Sequence, residues 1–329
     1  MKKLKFKFIS SGRYLPQKVI TAKEMASLTG VDEDWILKKT GVQTRYVAEG
    51  ENQAQMGAKA VMAALKNSTL KVEEIDLLIS ASGTPDQPIP HNSALIHNEL
   101  NFPPSVAAID VGATCLSFVQ ALQVAASFLT TEVYRNIIIV SSEKPSVGLN
   151  LKEPESAALF GDGAVAFILT RSVNDEGFMF SEFETHNEFV HATEIPAGGT
   201  RLHPKDVATS DDSKFLFSMD GAKVFKVTSK LFPSFYEKNL NKHRLSLDQF
   251  NFIVPHQASL LGLRLMQQKL EIPEEKFVIN IQRYGNLVGA SIPMALHDLL
   301  EAKRLKEGDQ VLILATAAGL TFGMVGLQL

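Results

Sequence analysis

Two stretches of this chain that start 175 residues apart share one pattern of residues. Residues 70–80 and 245–255 both start at a leucine, continue through a short acidic segment and end in an apolar run. Farther along, residues 136–140 and 310–314 are apolar runs whose isoleucines, Ile138 and Ile313, are again 175 residues apart. A chain that repeats itself at this distance is expected to fold into two similar units, each no longer than about half of the sequence.

The order of the predicted elements repeats together with the residues. In each half the first apolar run is followed by a polar loop and a helix. A second strand (106–111 and 277–281) and a second helix (115–129 and 290–302) come next. Fully apolar strands that alternate with helices indicate sheets that are covered on both faces. The sequence therefore predicts an α/β protein in which helices and sheets form layers.

The composition of the chain suggests where the two units end. We expect an N-terminal unit at 1–171 and a C-terminal unit at 219–329. The residues between them, 172–218, are polar and irregular and contain Pro196, Gly198, Gly199 and Pro204. Such clusters are typical of loops. We interpret this segment as a linker that also supplies loops facing a substrate.

Charge and hydropathy exclude several classes of function. The net charge of −3 and the scattered basic residues do not predict a nucleic-acid surface. No apolar run approaches the roughly 18 to 20 residues that span a bilayer, and no long apolar signal segment begins the chain. A single cysteine cannot form an internal disulfide. We therefore predict a cytoplasmic protein that acts on small molecules and binds neither nucleic acid nor membrane.

Cys115, the only cysteine in the chain, lies where the second predicted strand of the first half gives way to a helix. The unpaired N–H groups and the positive dipole end at a helix N-terminus lower the pKa of a thiol there. This placement suggests a nucleophile. A lone cysteine among Ala, Leu and Phe is otherwise most often a small buried hydrophobe, so the interpretation depends on its partners.

Two polar residues of the second half occupy comparable places. His256 follows the first strand of that half, and Asn286 lies at the strand-to-helix junction that corresponds to that of Cys115. Side chains at strand ends of α/β sheets converge on one crevice. As in papain-like proteases, His256 could act as a base oriented by Asn286, although such proteases are not duplicated α/β chains. Alternatively, both side chains could donate hydrogen bonds to one developing enolate oxygen, which would suit decarboxylation of a malonyl thioester.

Four segments of the chain resemble the signatures of β-ketoacyl-acyl-carrier-protein synthase III, a family of condensing enzymes with the thiolase fold. They are DVGATCLSF at 110–118, FGDGA at 160–164, VPHQAS at 254–259, and GN with ASIP at 285–286 and 290–293. The resemblance extends over nearly the whole chain, from residue 12 to residue 323. It implies two pseudo-repeated halves that form an αβαβα layered sandwich.

The resemblance also implies roles for individual residues. Cys115 would accept a starter acyl group from a CoA thioester, and the backbone N–H groups of Cys115 and Ala318 would form the oxyanion hole. His256 and Asn286 would promote decarboxylation of malonyl-ACP, giving a 3-oxoacyl-ACP that initiates fatty acid synthesis. These steps use no resident cofactor or metal. Further implied positions are those that bind CoA, Trp35, Lys39 and Thr40, and those of the acyl pocket and dimer loop, Phe160 and Ile89.

Members of the family are homodimers that dock the strongly acidic acyl carrier protein on a basic patch. In this chain Lys223, Lys226 and Lys230 form one stripe of a helix predicted to begin near Gly221. Several positions depart from the family pattern. Leu261 and Gln268 replace basic residues, although Arg264 is available to substitute. Ser259 replaces an asparagine, and Ala317 and Ala318 replace two glycines.

Other interpretations remain open. The departures are compatible with a CoA-dependent acyltransferase or a condensing enzyme of a specialised pathway on the same fold. A non-catalytic binding subunit is a third possibility, which the intact Cys115, His256 and Asn286 disfavour. Ile89 stands where long-chain head-to-head condensing relatives carry a glutamate, which argues against that activity. The remaining histidines lack paired metal-ligand spacing, and we interpret Glu143 as structural.

Overall fold

The structure is a computed structural model that describes residues 4–208 and 212–329. Its strands are β1 (Lys7–Tyr14), β2 (Lys18–Thr21), β3 (Thr44–Val47), β4 (Leu77–Ser80), β5 (Ala107–Asp110), β6 (Asn136–Glu143), β7 (Gly163–Thr170), β8 (Gly177–Thr185), β9 (Thr193–Glu194), β10 (Ser218–Met219), β11 (Phe252–Pro255), β12 (Gln310–Ala317) and β13 (Thr321–Gln328). Its helices are α1 (Ala22–Thr29), α2 (Glu33–Thr40), α3 (Gln53–Lys66), α4 (Asn92–Glu99), α5 (Ser117–Thr130), α6 (Pro154–Ala157), α7 (Gly221–His243), α8 (Leu260–Lys269), α9 (Ile281–Tyr284) and α10 (Ser291–Glu301). No helix within these described residues is long and apolar enough to cross a membrane.

The two main sheets have matching strand orders. The first runs β1-β7-β6-β4-β5 and the second runs β8-β13-β12-β11. In both sheets the first two pairings of the order are antiparallel and the third is parallel. The repeat in the sequence is thus a repeat of topology, with β4, β6, β7 and β1 matching β11, β12, β13 and β8.

Five layers arise from the way in which apolar residues alternate along these strands. In β12, Val311 and Ile313 face a core shared with α5, α10 and the first sheet, whereas Leu312 and Leu314 face a core formed with α7 and α8. The first sheet likewise packs against α5 and α10 on one face and α3 and α4 on the other. Because successive strand residues point to opposite faces, both sheets are covered twice. The predicted αβαβα sandwich is confirmed.

The strand predicted at 277–281 does not form. Only a single parallel bridge joins Phe277 to Ile253, and α9 begins at Ile281. The backbone groups of this segment bond to a side chain instead. Gln257 donates from Nε2 to the Val278 carbonyl at 3.0 Å, and its Oε1 accepts from the N–H of Asn280 at 3.0 Å. The amide of Gln257 therefore takes the place of a fifth strand at this edge.

The segment 172–218 contains more structure than a linker would. It includes β8, which pairs along its length with β13 and is the counterpart of β1. The C-terminal sheet therefore takes its first strand from Gly177 onward, well before residue 219. The rest of the segment matches the expected loops, with short helical turns and the two-residue strand β9.

Candidate active site

Cys115 lies in a single helical turn, Thr114–Leu116, between β5 and α5. Ser117 fixes this turn, because its hydroxyl accepts from the N–H of Ala113 at 2.9 Å and donates to the Thr114 carbonyl at 2.7 Å. The backbone N–H groups of Cys115 and Ala318 both bond toward the sulfur. The turn therefore presents a half-buried thiol to two backbone donors.

The surroundings of the thiol raise its pKa. Burial is the main cause, and the Glu143 carboxylate adds to it, so that the pKa of Cys115 is raised to about 12 despite the opposing N–H groups of Cys115 and Ala318. The predicted lowering of the thiol pKa by a helix N-terminus is thus wrong, since burial and a nearby carboxylate outweigh the backbone N–H groups. Attack by this thiol requires that its proton move to another group.

The second half contains a copy of the turn at Val288–Ala290. Val288 has a φ of 48° and Thr114 has a φ of 49°, a left-handed conformation that is rare for both residue types. The hydroxyl of Ser291 accepts from the N–H of Leu287 at 2.9 Å, as that of Ser117 does from Ala113. When the two turns are aligned by these shared hydrogen bonds and φ angles, Gly289 occupies the position of Cys115. Asn286 stands three positions earlier.

Asn286 is held so that its amide nitrogen is left for a ligand. Its Oδ1 accepts from the N–H of Val288 at 2.9 Å, which occupies the oxygen. Its own backbone N–H donates to the Leu159 carbonyl at 2.8 Å, tying it to the first half of the chain. The side chain is 6% exposed and lines the same cavity as Cys115. Nδ2 is consequently the polar atom that Asn286 offers to this cavity.

His256 follows β11 and is 5% exposed. Burial lowers the pKa of its imidazole to about 4, so the ring is neutral at physiological pH. Nδ1 is buried without a hydrogen-bond partner in the part of the chain that the structure describes. The neighbouring Gln257, which sequence reasoning did not single out, immobilises this loop by bonding to the carbonyls of Pro255 and Val278. A buried amide directly after a candidate catalytic residue is the signal that could have revealed it.

Glu143 has a larger part in the site than its expected structural role. It lies at the end of β6, is fully buried, and accepts from the N–H of Gly83 at 2.7 Å and from the Thr84 hydroxyl at 2.6 Å. It also accepts from the N–H of Gly289 at 3.1 Å, across the boundary between the halves. Burial raises the pKa of Glu143 to about 7, against the effect of these hydrogen bonds. Its charge in turn acts on Cys115.

One cavity of about 910 Å³ contains the three candidate catalytic residues, Cys115, His256 and Asn286. Ala318, implied for the oxyanion hole, lines the cavity together with Ala317, and its N–H bonds toward the thiol. Phe160, implied for the acyl pocket, also forms part of the wall. The sequence thus located a set of residues that the fold brings together.

The residues implied for CoA binding differ in whether they reach the cavity. Lys39 lines the cavity, and its Nζ lies 5.9 Å from the centre of the Trp35 ring, so these two residues form one surface. Thr40 is fully buried, and its hydroxyl donates to the Ile36 carbonyl at 2.9 Å. Thr40 therefore has no face toward the cavity.

The basic residues implied for carrier docking lie outside the cavity. Lys223, Lys226 and Lys230 are exposed on α7, whose predicted start near Gly221 is confirmed. Arg264 is also exposed but is paired with Glu274 at 3.3 Å. Lys269, which sequence reasoning missed, lines the cavity. The dimer-loop residue Ile89 is 84% exposed and is not part of the cavity wall.

Within residues 4–208 and 212–329, no group of three or more His, Cys, Asp or Glu side chains is placed to hold a metal ion. The polar groups of the cavity include the backbone N–H groups of Cys115 and Ala318 and Nδ2 of Asn286, which are hydrogen-bond donors. Such a set suits the stabilisation of developing oxyanions.

Comparisons with known proteins agree with this geometry. Residues 109–188 match the family model described as 3-oxoacyl-[acyl-carrier-protein] synthase III, and residues 240–329 match the model of its C-terminal part. The chain is 32% identical to β-ketoacyl-[acyl-carrier-protein] synthase III of Clostridium novyi, with 96% of this chain and 97% of the relative covered.

Solved structures give the same result. The crystal structure of 3-oxoacyl-[acyl-carrier-protein] synthase III from Aquifex aeolicus superposes with a TM-score of 0.88 at 30% identity, covering 98% of this chain and all of that one (100%). The priming β-ketosynthase of the R1128 polyketide pathway superposes with a TM-score of 0.88 at 25% identity, covering 99% and 97%. The chain is a condensing acyltransferase with the thiolase fold, and it belongs to the β-ketoacyl-[acyl-carrier-protein] synthase III family.

Proposed function

We propose that this protein joins an acyl-CoA starter to malonyl-ACP by decarboxylative Claisen condensation, giving the 3-oxoacyl-ACP that initiates fatty acid synthesis. One observation carries this function: Cys115, His256 and Asn286, from separate segments of the chain, line a single cavity of about 910 Å³. The names of the relatives, which specify a synthase acting on acyl carrier protein, support the choice of carrier.

In the first step the sulfur of Cys115 attacks the carbonyl of the acyl-CoA. The thiol proton must leave because the pKa of about 12 keeps the sulfur protonated. The neutral imidazole of His256 in the same cavity can accept this proton and pass it to the departing CoA thiolate. The N–H groups of Cys115 and Ala318 would stabilise the tetrahedral oxyanion. The products are acyl-Cys115 and free CoA.

In the second step malonyl-ACP loses carbon dioxide. The electron pair of the broken carbon–carbon bond forms an enolate whose oxygen accepts hydrogen bonds from Nδ2 of Asn286 and from the imidazole N–H of His256. The nucleophilic carbon then attacks the acyl-Cys115 carbonyl, and the oxyanion again faces Cys115 and Ala318. Expulsion of the Cys115 thiolate releases the 3-oxoacyl-ACP. The thiolate then takes up one proton from solvent, because the original thiol proton left with CoA, so the whole cycle consumes one proton and releases CoA and carbon dioxide.

The surrounding residues complete the proposal. Trp35 and Lys39 would bind the CoA nucleotide at the cavity entrance, whereas the burial of Thr40 removes it from this set. Ile89, at 84% exposure, would enter the acyl pocket of a second copy in a homodimer, opposite Phe160. Lys223, Lys226 and Lys230 would receive the acidic carrier, and Lys269 joins them because it lines the cavity. We place the reaction in the cytoplasm and assign it no cofactor.

A second candidate is a CoA-dependent acyltransferase or condensing enzyme of a specialised pathway. Its support is the similarity to the R1128 priming β-ketosynthase and the apolar rim of the cavity. Leu261, where the family has a basic residue, is 55% exposed, and Phe225 is 43% exposed. Such a rim is poorly suited to an acidic carrier. A non-catalytic binding subunit is disfavoured by the complete set of reactive side chains.

The test supplies acyl-CoAs of different chain length and then either malonyl-ACP or malonyl-CoA, while intact mass and carbon dioxide release are measured. We expect an acyl adduct on Cys115 and condensation with malonyl-ACP. Condensation with malonyl-CoA alone would support the specialised pathway, and acylation without condensation would support a transferase. Failure of every CoA thioester to form an adduct would refute all the enzymatic functions.

A further inference from the structure

A second, smaller pocket of about 200 Å³ lies behind the wall of the catalytic cavity. Phe160 and Leu149 line both spaces, so these two side chains form the wall between them. The outer side of the small pocket contains Leu28 and Leu151, which are 53% and 43% exposed. In the direction of α1 the catalytic cavity therefore ends at two apolar side chains that have space behind them.

The small pocket offers apolar surface, and its wall includes Ile20 and Met25. The polar groups that border it are occupied or inaccessible. The hydroxyl of Ser146 donates to Asp162 at 2.6 Å, and Arg45 is fully buried, so its charge is not exposed to the pocket. An apolar cavity of about 150 Å³ already holds benzene, so this pocket has room for about six carbon atoms of an aliphatic chain.

The backbone of Phe160 is fixed relative to a candidate catalytic residue. The N–H of Asn286 donates to the Leu159 carbonyl at 2.8 Å, and the N–H of Gly161 donates to the Asn286 carbonyl at 3.2 Å. The ring of Phe160 is 7% exposed and packs edge-on against that of Phe217, with 4.9 Å between the ring centroids. A buried ring on a backbone that is bonded on both sides is a rigid end to the cavity.

We infer that Phe160, together with Leu149, determines the length of the starter acyl group, and that the pocket behind them is a preformed extension for a longer aliphatic chain. This inference rests on the proposed function, because Cys115 must carry the chain. Loss of either side chain would join the two spaces. Each methylene group that then gains apolar surroundings should strengthen binding about fourfold.

The test measures kcat/KM for formation of the Cys115 adduct with a series of acyl-CoAs from butyryl to tetradecanoyl. We expect the wild type to favour the short chains. Phe160→Ala should raise kcat/KM for decanoyl-CoA relative to butyryl-CoA by about tenfold or more. Phe215→Ala is the matched control, because Phe215 lines the catalytic cavity but not the small pocket, and its ratio should stay close to that of the wild type.

A second pair of variants keeps the inference testable if Phe160→Ala does not fold. Leu149→Ala opens the same wall from its other side and should shift the chain-length ratio in the same direction. Leu159→Ala removes the same atoms from a residue that lines only the catalytic cavity, so it should not shift the ratio.

Methionine methyl NMR shows where the chain lies, independently of the rates. Met25 lines the small pocket, whereas Met219 lines the catalytic cavity. With a decanoyl group on Cys115, we expect the Met25 signal to shift in Phe160→Ala but not in the wild type. A butyryl group should leave Met25 unchanged in both proteins. A shift of Met219 alone in the decanoylated variant would show that the chain stays in the catalytic cavity, against the inference.

Two rate results would also overturn the inference. A wild type that accepts decanoyl-CoA as readily as butyryl-CoA would show that Phe160 sets no limit. Equal ratios in Phe160→Ala and Phe215→Ala would show that cavity volume alone decides. If no CoA thioester forms an adduct, the proposed function fails and this inference with it, whereas adducts with an unchanged length profile in Phe160→Ala and Leu149→Ala overturn the inference alone.

Discussion

The turn that contains Cys115 and the turn that contains Gly289 share a backbone but differ in chemistry. Both are single helical turns preceding a long helix, and both place a left-handed non-glycine residue before the position that differs. In the first turn that position is a thiol facing the cavity. In the second it is a glycine whose N–H donates to Glu143 of the first half at 3.1 Å.

This difference shows how a duplicated fold divides its tasks. The first turn offers a nucleophile, while the second offers only backbone and approaches so closely that a Cβ on Gly289 would lie 2.7 Å from Oε1 of Glu143. In the proposed mechanism the first half holds the acyl group on Cys115, and the second half supplies Asn286 and His256 as donors for the enolate.

Of the changes that test this division between the two turns, replacing the nucleophile should have the largest effect on activity. Cys115→Ala should abolish the acyl adduct completely, because no other thiol exists in the chain. Malonyl decarboxylation should persist, because its donors lie in the second half. Intact mass reports the first reaction and carbon dioxide release the second. Loss of both in a correctly folded variant would show that the two tasks are not divided.

Removing a donor of the second half should give the opposite pattern. His256→Ala and Asn286→Ala should each reduce decarboxylation by about 10² to 10³, the usual loss when one oxyanion donor is removed. Asn286→Ala should still form the acyl adduct, since Asn286 takes no part in that step. His256→Ala should also acylate, but more slowly, because the proposed mechanism makes its imidazole the acceptor of the thiol proton. An Asn286→Ala variant that decarboxylates normally but fails to acylate would reverse the assignment.

Much of this arrangement could be predicted from the sequence because it depends on local patterns. Apolar strands predict their own positions, and Cys115 and His256 follow β5 and β11, whose ends converge as is general in α/β sheets, whereas Asn286 follows α9. The strand predicted at 277–281 does not form, because the side chain of Gln257 hydrogen-bonds to backbone groups of this segment. A contact between residues this far apart in the chain is not visible in a local pattern.

The electrostatics of the site were equally hidden from sequence reasoning. The raised pKa of the thiol depends on burial and on Glu143, which is 28 positions away in the chain. The burial of Thr40 depends on the packing of α2, and a resemblance to family positions does not convey it. Tertiary contacts of this kind decide ionisation and access, whereas local sequence decides which residues are present.

Crowding at the second turn can be tested with a matched pair of glycines. Gly289→Ala should lower the free energy of unfolding by about 1 to 3 kcal/mol, because the new methyl group would overlap Glu143 and approach the Thr114 carbonyl. Gly112 is the counterpart of Asn286 in the first turn, and a Cβ added there would have no atom within 4 Å. Gly112→Ala should therefore be nearly neutral in denaturant unfolding. An equal loss of unfolding free energy in both variants would contradict the conclusion that only the second turn is crowded.

The smallest expected effect concerns the carboxylate of Glu143, which accepts a hydrogen bond from the second turn and acts electrostatically on the thiol of the first. The pKa of Glu143 is raised to about 7, so its carboxylate forms as the pH rises through neutrality and then raises the pKa of the Cys115 thiol. Alkylation of the wild-type thiol by iodoacetamide should accelerate less than tenfold per pH unit across this range. Glu143→Gln removes the charge and should react on the order of tenfold faster above about pH 8, with little difference below about pH 6.

Thr84→Val is the matched control for this experiment, because it keeps the carboxylate but removes the hydroxyl that donates to Oε2 at 2.6 Å. That hydrogen bond lowers the pKa of Glu143, so its loss should move the change of slope to higher pH without abolishing it. A Glu143→Gln variant with the wild-type pH profile would mean that Glu143 only holds the turns together. A changed profile would instead show that the second turn, through Glu143, also sets the reactivity of the first.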